Sequence, residues 1–127
     1  MEINKLQLLM NDVRQWSDAT FGYGKRTTAI VHHLKKEVVE LILALNKTYE
    51  LGCDESVGVG ELGRQIHETE IEYADCFMLL LDSAHHFGLS AENIVDLTRE
   101  KLEINKKRKW GNPDENGVVE HIKEKTK

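Results

Sequence analysis

Two short acidic patterns carry the chemistry of this chain. Glu37-Val38-Val39-Glu40 and Glu72-Tyr73-Ala74-Asp75 each place two carboxylates three residues apart. On a helix that spacing puts both acids on one face, a turn from each other. Each pair also interrupts an apolar stripe. Glu37 falls three residues after Leu34 and four before Leu41, and Asp75 falls four after Ile71 and three before Met78. Core side chains normally fill such slots. Four carboxylates turned inward on two helices would repel one another and lose hydration. A hard divalent cation with oxygen ligands removes both costs, so the quartet reads as a metal site. Acid pairs at this spacing also decorate solvated helix faces; the interruption of two apolar stripes on consecutive helices favours the site.

A second constellation lies downstream. Lys101, Asn105 and Arg108 stand at i, i+4 and i+7, on one helical face, with Lys106, Lys107 and Lys109 around them. Cations in the last turns of a helix complement its dipole, and that accounts for the lysine run. It accounts less well for an asparagine held between a lysine and an arginine. Such a stripe suits an anion, with arginine offering a bidentate fork to phosphate and lysine a mobile charge.

Helices must position both sets. Ile3, Leu6, Leu9, Met10, Val13 and Trp16 predict a first helix over 3–18. Phe21-Gly22-Tyr23-Gly24 breaks it, and Thr27 or Thr28 can cap a second helix running to Leu51, with Gly52 as a left-handed stop. Its apolar set is Ile30, Val31, Leu34, Val38, Leu41, Ile42 and Leu45. Residues 52–63 read as a glycine-rich loop. They contain Gly58-Val59-Gly60-Glu61-Leu62-Gly63, yet a helix precedes this GxGxxG and no βαβ unit surrounds it, which excludes a dinucleotide fingerprint. A third helix is predicted over 64–87, stopped by Gly88, and a fourth over 91–109, capped by Ser90, with Ile94, Leu97, Leu102 and Ile104 inward. The polar tail 110–127 is expected to be partly helical and frayed at its end.

The stretch Ala74–Leu81 is apolar on nearly every side except at Asp75. A helix apolar all round is buried all round, so a second subunit is expected to cover part of it. The expected architecture is all-α: a four-helix core bundle in one domain, 1–127, completed by oligomerisation as a homodimer or homotetramer.

The totals agree with a helical protein of one ordinary domain. The chain has 127 residues, 40% hydrophobic and 31% charged, with a single proline. Cys53 and Cys76 make neither a disulfide framework nor a zinc motif, which points to a reducing cytoplasm. No apolar run has membrane-spanning length, and the first residues do not form a signal peptide. Residues 1–98 carry eight basic and sixteen acidic side chains, and 99–127 carry nine and six. This acidity argues against nonspecific nucleic-acid binding, while the cationic end can still attract a small anion.

Taken in order, the array Glu37-x-x-Glu40, Glu72-x-x-Asp75 and Lys101-x-x-x-Asn105-x-x-Arg108-x-Trp110 resembles the MazG-like all-α nucleoside triphosphate pyrophosphohydrolases. The bacterial and phage branch of dATP/dGTP diphosphohydrolases is the nearer likeness, supported by His33-Leu34-Lys35-Lys36-Glu37 and Trp16-Ser17-Asp18-Ala19-Thr20-Phe21-Gly22. The likeness covers residues 14–110 and does not reach the tail. It implies that Glu37, Glu40, Glu72 and Asp75 ligate Mg²⁺, with Mn²⁺ able to substitute, and that Lys101, Asn105 and Arg108 face the phosphates. It also implies cleavage of a deoxypurine nucleoside triphosphate to the monophosphate and pyrophosphate, with Glu37 or Glu40 positioning the attacking water. Lys36 departs from the further glutamate that many members carry there.

Other residues are read two ways. His33, four before Glu37, either orients that ligand or is an exposed first-turn histidine. Trp16 and Phe21 either stack on a base or belong to the core. No partner is assigned to His32, His85 or His86, and Asp82-x-x-His85 is not the Glu-x-x-His of di-iron bundles. Cys76 reads as inert packing. The rival to an enzyme is a non-enzymatic helical module that senses nucleotide or binds a partner.

Overall fold

The computed structural model describes residues 3–24 and 26–123. Four helices follow in order: α1 (Ile3–Phe21), α2 (Thr27–Gly52), α3 (Val59–Phe87) and α4 (Ala91–Lys107). No strand occurs among the described residues, so the all-α, four-helix reading holds. The chain forms two compact units, Met1–Ala91 and Glu92–Lys127.

In the first unit α2 and α3 make an antiparallel hairpin. Its seam is fixed by polar bonds as well as by apolar packing. Ser83 Oγ donates to the Thr27 carbonyl at one end (3.0 Å), and Gln65 and Thr69 reach the Ala44 carbonyl toward the other (3.2 and 3.3 Å). This register brings the middle of α2, with Glu37, beside the middle of α3, with Glu72 and Asp75. The helix α1 packs on α3, where Arg14 Nη1 donates to the His85 carbonyl (3.2 Å), and Gln7 Oε1 accepts the amide of Ala91, the last residue of the first unit (2.8 Å). Met10, Val13, Ile30, Leu81 and Ala91 are the buried apolar residues.

Several element ends differ from the sequence expectation, each for a local reason. Thr27 and Thr28 lie inside α2 rather than capping it; Arg26 takes the cap position without a side-chain cap bond. Gly52 remains helical, and Cys53 ends α2 in the right-handed region. Asp54 then turns the chain: its Oδ1 accepts from the Ser56 amide and hydroxyl (2.9 and 2.6 Å), which makes a left-handed glycine unnecessary. The helix α3 starts at Val59, five residues earlier than expected, so Gly60 and Gly63 belong to its opening turns. Gly88 does stop α3 with φ of 109°, and Leu89 donates back to the Ala84 carbonyl (3.0 Å).

The buried set is smaller than the periodicity suggests. Val31, Val38 and Ile42 of α2 are exposed, as are Leu97, Leu102 and Ile104 of α4. In α2 one neighbouring helix, α3, covers one stripe of side chains, and Val31, Val38 and Ile42 flank that stripe.

In the second unit the described part of the tail, 110–123, is not helical. Gly111 donates to the Glu120 carbonyl (2.8 Å) and Ile122 to that of Lys109 (2.7 Å), while Trp110 and His121 form an isolated antiparallel bridge. The reversal is built by Asp114, whose Oδ1 accepts from the amides of Asn116 and Val118 (2.8 and 2.9 Å). Gly117 supplies the positive φ, 78°, that the turn needs. The expected fraying of the last residues falls on 124–127, outside the described residues.

Candidate active site

The α2–α3 hairpin brings three of the four acids together. Glu37, Glu72 and Asp75 each offer a carboxylate oxygen within 4.8 Å of the others, and all three are half-buried. Glu40, a turn further along α2, is exposed and outside this trio, though its charge reaches Glu72. Burial pushes the Glu72 carboxyl above the ordinary range, and the carboxylates of Asp75, Glu37 and Glu40 push it further. Its Oε2 is buried and accepts no hydrogen bond among the described residues. An orphaned carboxylate oxygen beside two more carboxylates is the donor set of a hard cation, so these residues fit a divalent metal. Cys76 adjoins the trio; burial first, then Glu37, Glu72 and Asp75, raise its thiol pKa and keep it protonated. His33 Nε2 lies 3.3 Å from Glu37 Oε1, with more than half of the His33 side chain exposed.

Two members of the trio border a cavity of about 360 Å³ within the first unit. Glu37 and Asp75 line it together with His33, and Val13, Ile30, Met78 and Leu79 supply apolar wall. Trp16 and Phe21 line it too, edge to face with centroids 5.5 Å apart. They are 54% and 59% exposed, so neither is a core residue as the protomer stands.

The same cavity exposes a polar cluster that the sequence reading missed. His86, on α3, donates from Nδ1 to the carbonyl of Asp82 (2.8 Å) and sets Nε2 2.8 Å from Asp18 Oδ1 on α1. Arg26 Nη2 reaches the same Asp18 oxygen (2.7 Å) and the Ser17 hydroxyl (2.9 Å), and its guanidinium lies 5.8 Å from the Phe21 ring centroid. The His86 hydrogen bond, ahead of the one from Arg26, holds the Asp18 carboxyl below its usual range despite burial. His85 places Nδ1 3.3 Å from the Met10 carbonyl. The only signal in the sequence was Asp82 and His86 at i, i+4.

In the second unit, Lys101 and Asn105 line a shallow hollow with Leu97, Thr98 and Leu102. Arg108 lies just beyond the end of α4 and donates from Nη1 to Asn105 Oδ1 (3.3 Å), while Trp110 Nε1 donates to the Asn105 carbonyl (3.0 Å). Asn105 and Arg108 are therefore coupled. Lys101 is exposed.

The sequence profile of the family described as dATP/dGTP pyrophosphohydrolase matches residues 64–127, and the chain belongs to that family. That description names hydrolases of nucleotide phosphoanhydride bonds. The match takes in Glu72, Asp75, Lys101, Asn105 and Arg108, and it runs through the tail, where the sequence resemblance had stopped. Glu37 and Glu40 precede it. Over 54 residues the chain is also 44% identical to the Eaa protein of Salmonella phage P22. That likeness covers 42% of this chain and 17% of the phage protein, so the chain spans only a small part of this relative's length. No solved structure matches the chain. No helix among the described residues is long and apolar enough to cross a membrane.

Proposed function

We propose that the chain is a Mg²⁺-dependent pyrophosphohydrolase that converts a deoxypurine nucleoside triphosphate to its monophosphate and pyrophosphate. The observation that carries this reading is the position of the carboxylate trio, two members of which, Glu37 and Asp75, line the same cavity as two exposed aromatic rings. Phosphate chemistry at one part and base stacking at another are what a nucleotide hydrolase needs.

Glu37, Glu72 and Asp75 are assigned to the metal, with Glu40 as the fourth acid of the set. The cation, when bound, neutralises phosphate charge and acidifies a water. Glu37 or Glu40 orients the attacking water toward the α-phosphorus and takes its proton. His33 orients Glu37. Trp16 and Phe21 offer aromatic faces to the base, and the aliphatic wall keeps water from the sugar. Lys101, Asn105 and Arg108 are assigned to the triphosphate, where positive charge offsets the charge that builds on the leaving pyrophosphate. The proposed setting is the cytoplasm, and the proposed working form is a homodimer or homotetramer.

The test is phosphate release from dNTPs in the presence of added inorganic pyrophosphatase, with and without Mg²⁺. Release that requires the pyrophosphatase supports α–β cleavage, and direct assay of the monophosphate with and without Mg²⁺ reads the cation requirement independently of the coupling enzyme. Glu40→Gln should lower kcat by on the order of 10²-fold or more, as loss of a metal or water-orienting group does. Phosphate release without the added pyrophosphatase would place the cleavage elsewhere and reject the proposal.

A further inference from the structure

We propose that Arg26 is a positioning residue for the substrate: it fastens the end of α1 so that the Trp16 and Phe21 rings are held in place to stack on the base. This deepens the reading of the cavity as a nucleotide site and rests on it. Both rings are more than half exposed, so burial does not fix where they point. They meet edge to face with centroids 5.5 Å apart, and the Arg26 guanidinium lies 5.8 Å from the Phe21 centroid. Trp16, Phe21 and Arg26 all line the cavity.

Arg26 holds that end of α1 from two nitrogens at once. Its Nε donates to the carbonyl of Gly22 (2.9 Å), the residue after Phe21. Its Nη2 donates to Oγ of Ser17 (2.9 Å), the residue after Trp16, and to Asp18 Oδ1 (2.7 Å). Each ring therefore has a chain neighbour tied to the guanidinium. Gly22, with φ of 97°, ends the helix and turns the chain so that Arg26 can return to it. The tie continues into α3, because Asp18 Oδ1 also lies 2.8 Å from His86 Nε2, and His86 Nδ1 lies 2.8 Å from the Asp82 carbonyl. Arg26, just before α2, thus anchors the ring-bearing end of α1 to the wall of the cavity.

Only a forked donor does this. A lysine ammonium is one nitrogen on a mobile stem and does not serve the Gly22 carbonyl and the Asp18 carboxylate from separate, fixed positions. The rival role for an arginine in this cavity is a direct grip on phosphate. Two of its three nitrogens are committed to α1, and the Asp18 carboxylate offsets the charge that would draw an anion. Holding the rings has a direct effect on affinity. A side chain that must be ordered when ligand arrives subtracts its ordering cost from binding, and one held beforehand does not.

The experiment sets nucleotide against bare phosphate. Wild type and Arg26→Lys are compared by steady-state kinetics with dATP and dGTP, by calorimetry with dAMP and dGMP, and by inhibition with inorganic tripolyphosphate and Mg²⁺. Base stacking on aromatic rings contributes roughly 5- to 150-fold in affinity. Arg26→Lys should therefore raise KM and weaken monophosphate binding by at least about 5-fold. Turnover number and tripolyphosphate inhibition should stay within about 2-fold, because a ligand without a base does not use the rings. Asp18→Asn removes the charge that Arg26 grips and should repeat the pattern, so it decides the matter if Arg26→Lys does not fold. Equal weakening of tripolyphosphate and nucleotide would place Arg26 on the phosphates and overturn the inference. A lower Tm with unchanged KM and monophosphate affinity would make the residue merely structural and overturn it as well. Weaker monophosphate binding in the variants, with no triphosphate turnover by wild type, would reject the hydrolase reading and leave this inference standing. Turnover by wild type, with nucleotide affinity unchanged in both variants, would do the reverse.

Discussion

His86 Nε2 stands 2.8 Å from Oδ1 of Asp18, joining α3 to α1 through a nearly buried imidazole. Asp18 is held ionised by that bond first and by Arg26 next, against the opposing effect of burial, so its folded-state pKa lies below the ordinary 3.8. A depressed carboxyl pKa adds stability that is fully present above the unfolded value and is lost as pH falls through the folded one. Asp18→Asn should therefore lower Tm at neutral pH. The deficit relative to wild type should narrow as pH falls below about 4. Thermal melts of both proteins across that range check this, and a deficit constant with pH would remove Asp18 from the ionic link.

Glu72 presents the opposite case. Its carboxyl is raised by burial and by three neighbouring carboxylates, and its Oε2 has no hydrogen-bond partner among the described residues. Without cation, ionised Glu72 opposes folding, so Glu72→Gln should raise Tm in chelator. With Mg²⁺ the order should reverse. Wild type should gain about 2.7 kcal/mol at a cation concentration 100 times Kd, and Glu72→Gln should gain little. Differential scanning fluorimetry with EDTA and with Mg²⁺ gives both comparisons. A cation shift of equal size in the two proteins would move the metal away from this trio.

The legible part of this molecule was periodic or local. Four helices followed from apolar spacing, and the acid pairs showed through because they interrupt that spacing. Helix ends were less legible because short-range bonds compete there: Asp54 turned the chain where Gly52 had been expected to, and Gly60 and Gly63 were absorbed into α3. The Asp18–His86–Asp82 cluster was not legible because it depends on pairing α1 with α3, residues 68 positions apart in the chain. Asp82 and His85 at i, i+3 are as conspicuous in the sequence as Asp82 and His86 at i, i+4, and only the second pair is joined in the fold.

Phe77 and Leu80 are 49% and 53% exposed on α3, and Val38 and Ile42 of α2 are 40% and 52% exposed. Apolar residues repeated along two neighbouring helices form a surface suited to a second copy of the chain. Light scattering at micromolar protein should give a mass of at least twice 14.6 kDa. Leu80→Glu should lower that mass if α3 forms the contact. A monomer mass for the wild type would refute assembly outright.

The division of labour between the carboxylates and the cationic stripe gives the sharpest kinetic prediction. Arg108 donates to Asn105 Oδ1, so its guanidinium is oriented by a residue of the same stripe. Arg108→Lys keeps the charge and loses the fork that can grip two phosphate oxygens. It should cost roughly 1–3 kcal/mol in substrate or transition-state binding, about 5- to 150-fold in kcat/KM. The cation-induced rise in Tm should be unchanged, because no carboxylate has been altered. Glu37→Gln should show the converse, a weakened cation response together with lost turnover. If Arg108 serves only to complement the helix terminus, Arg108→Lys will leave kcat/KM untouched, and any cost will be under about 1 kcal/mol of stability. Steady-state kinetics and melting curves on the same preparation separate these accounts. Unchanged kinetics with a lower Tm would withdraw Arg108 from substrate and leave it to the dipole of α4.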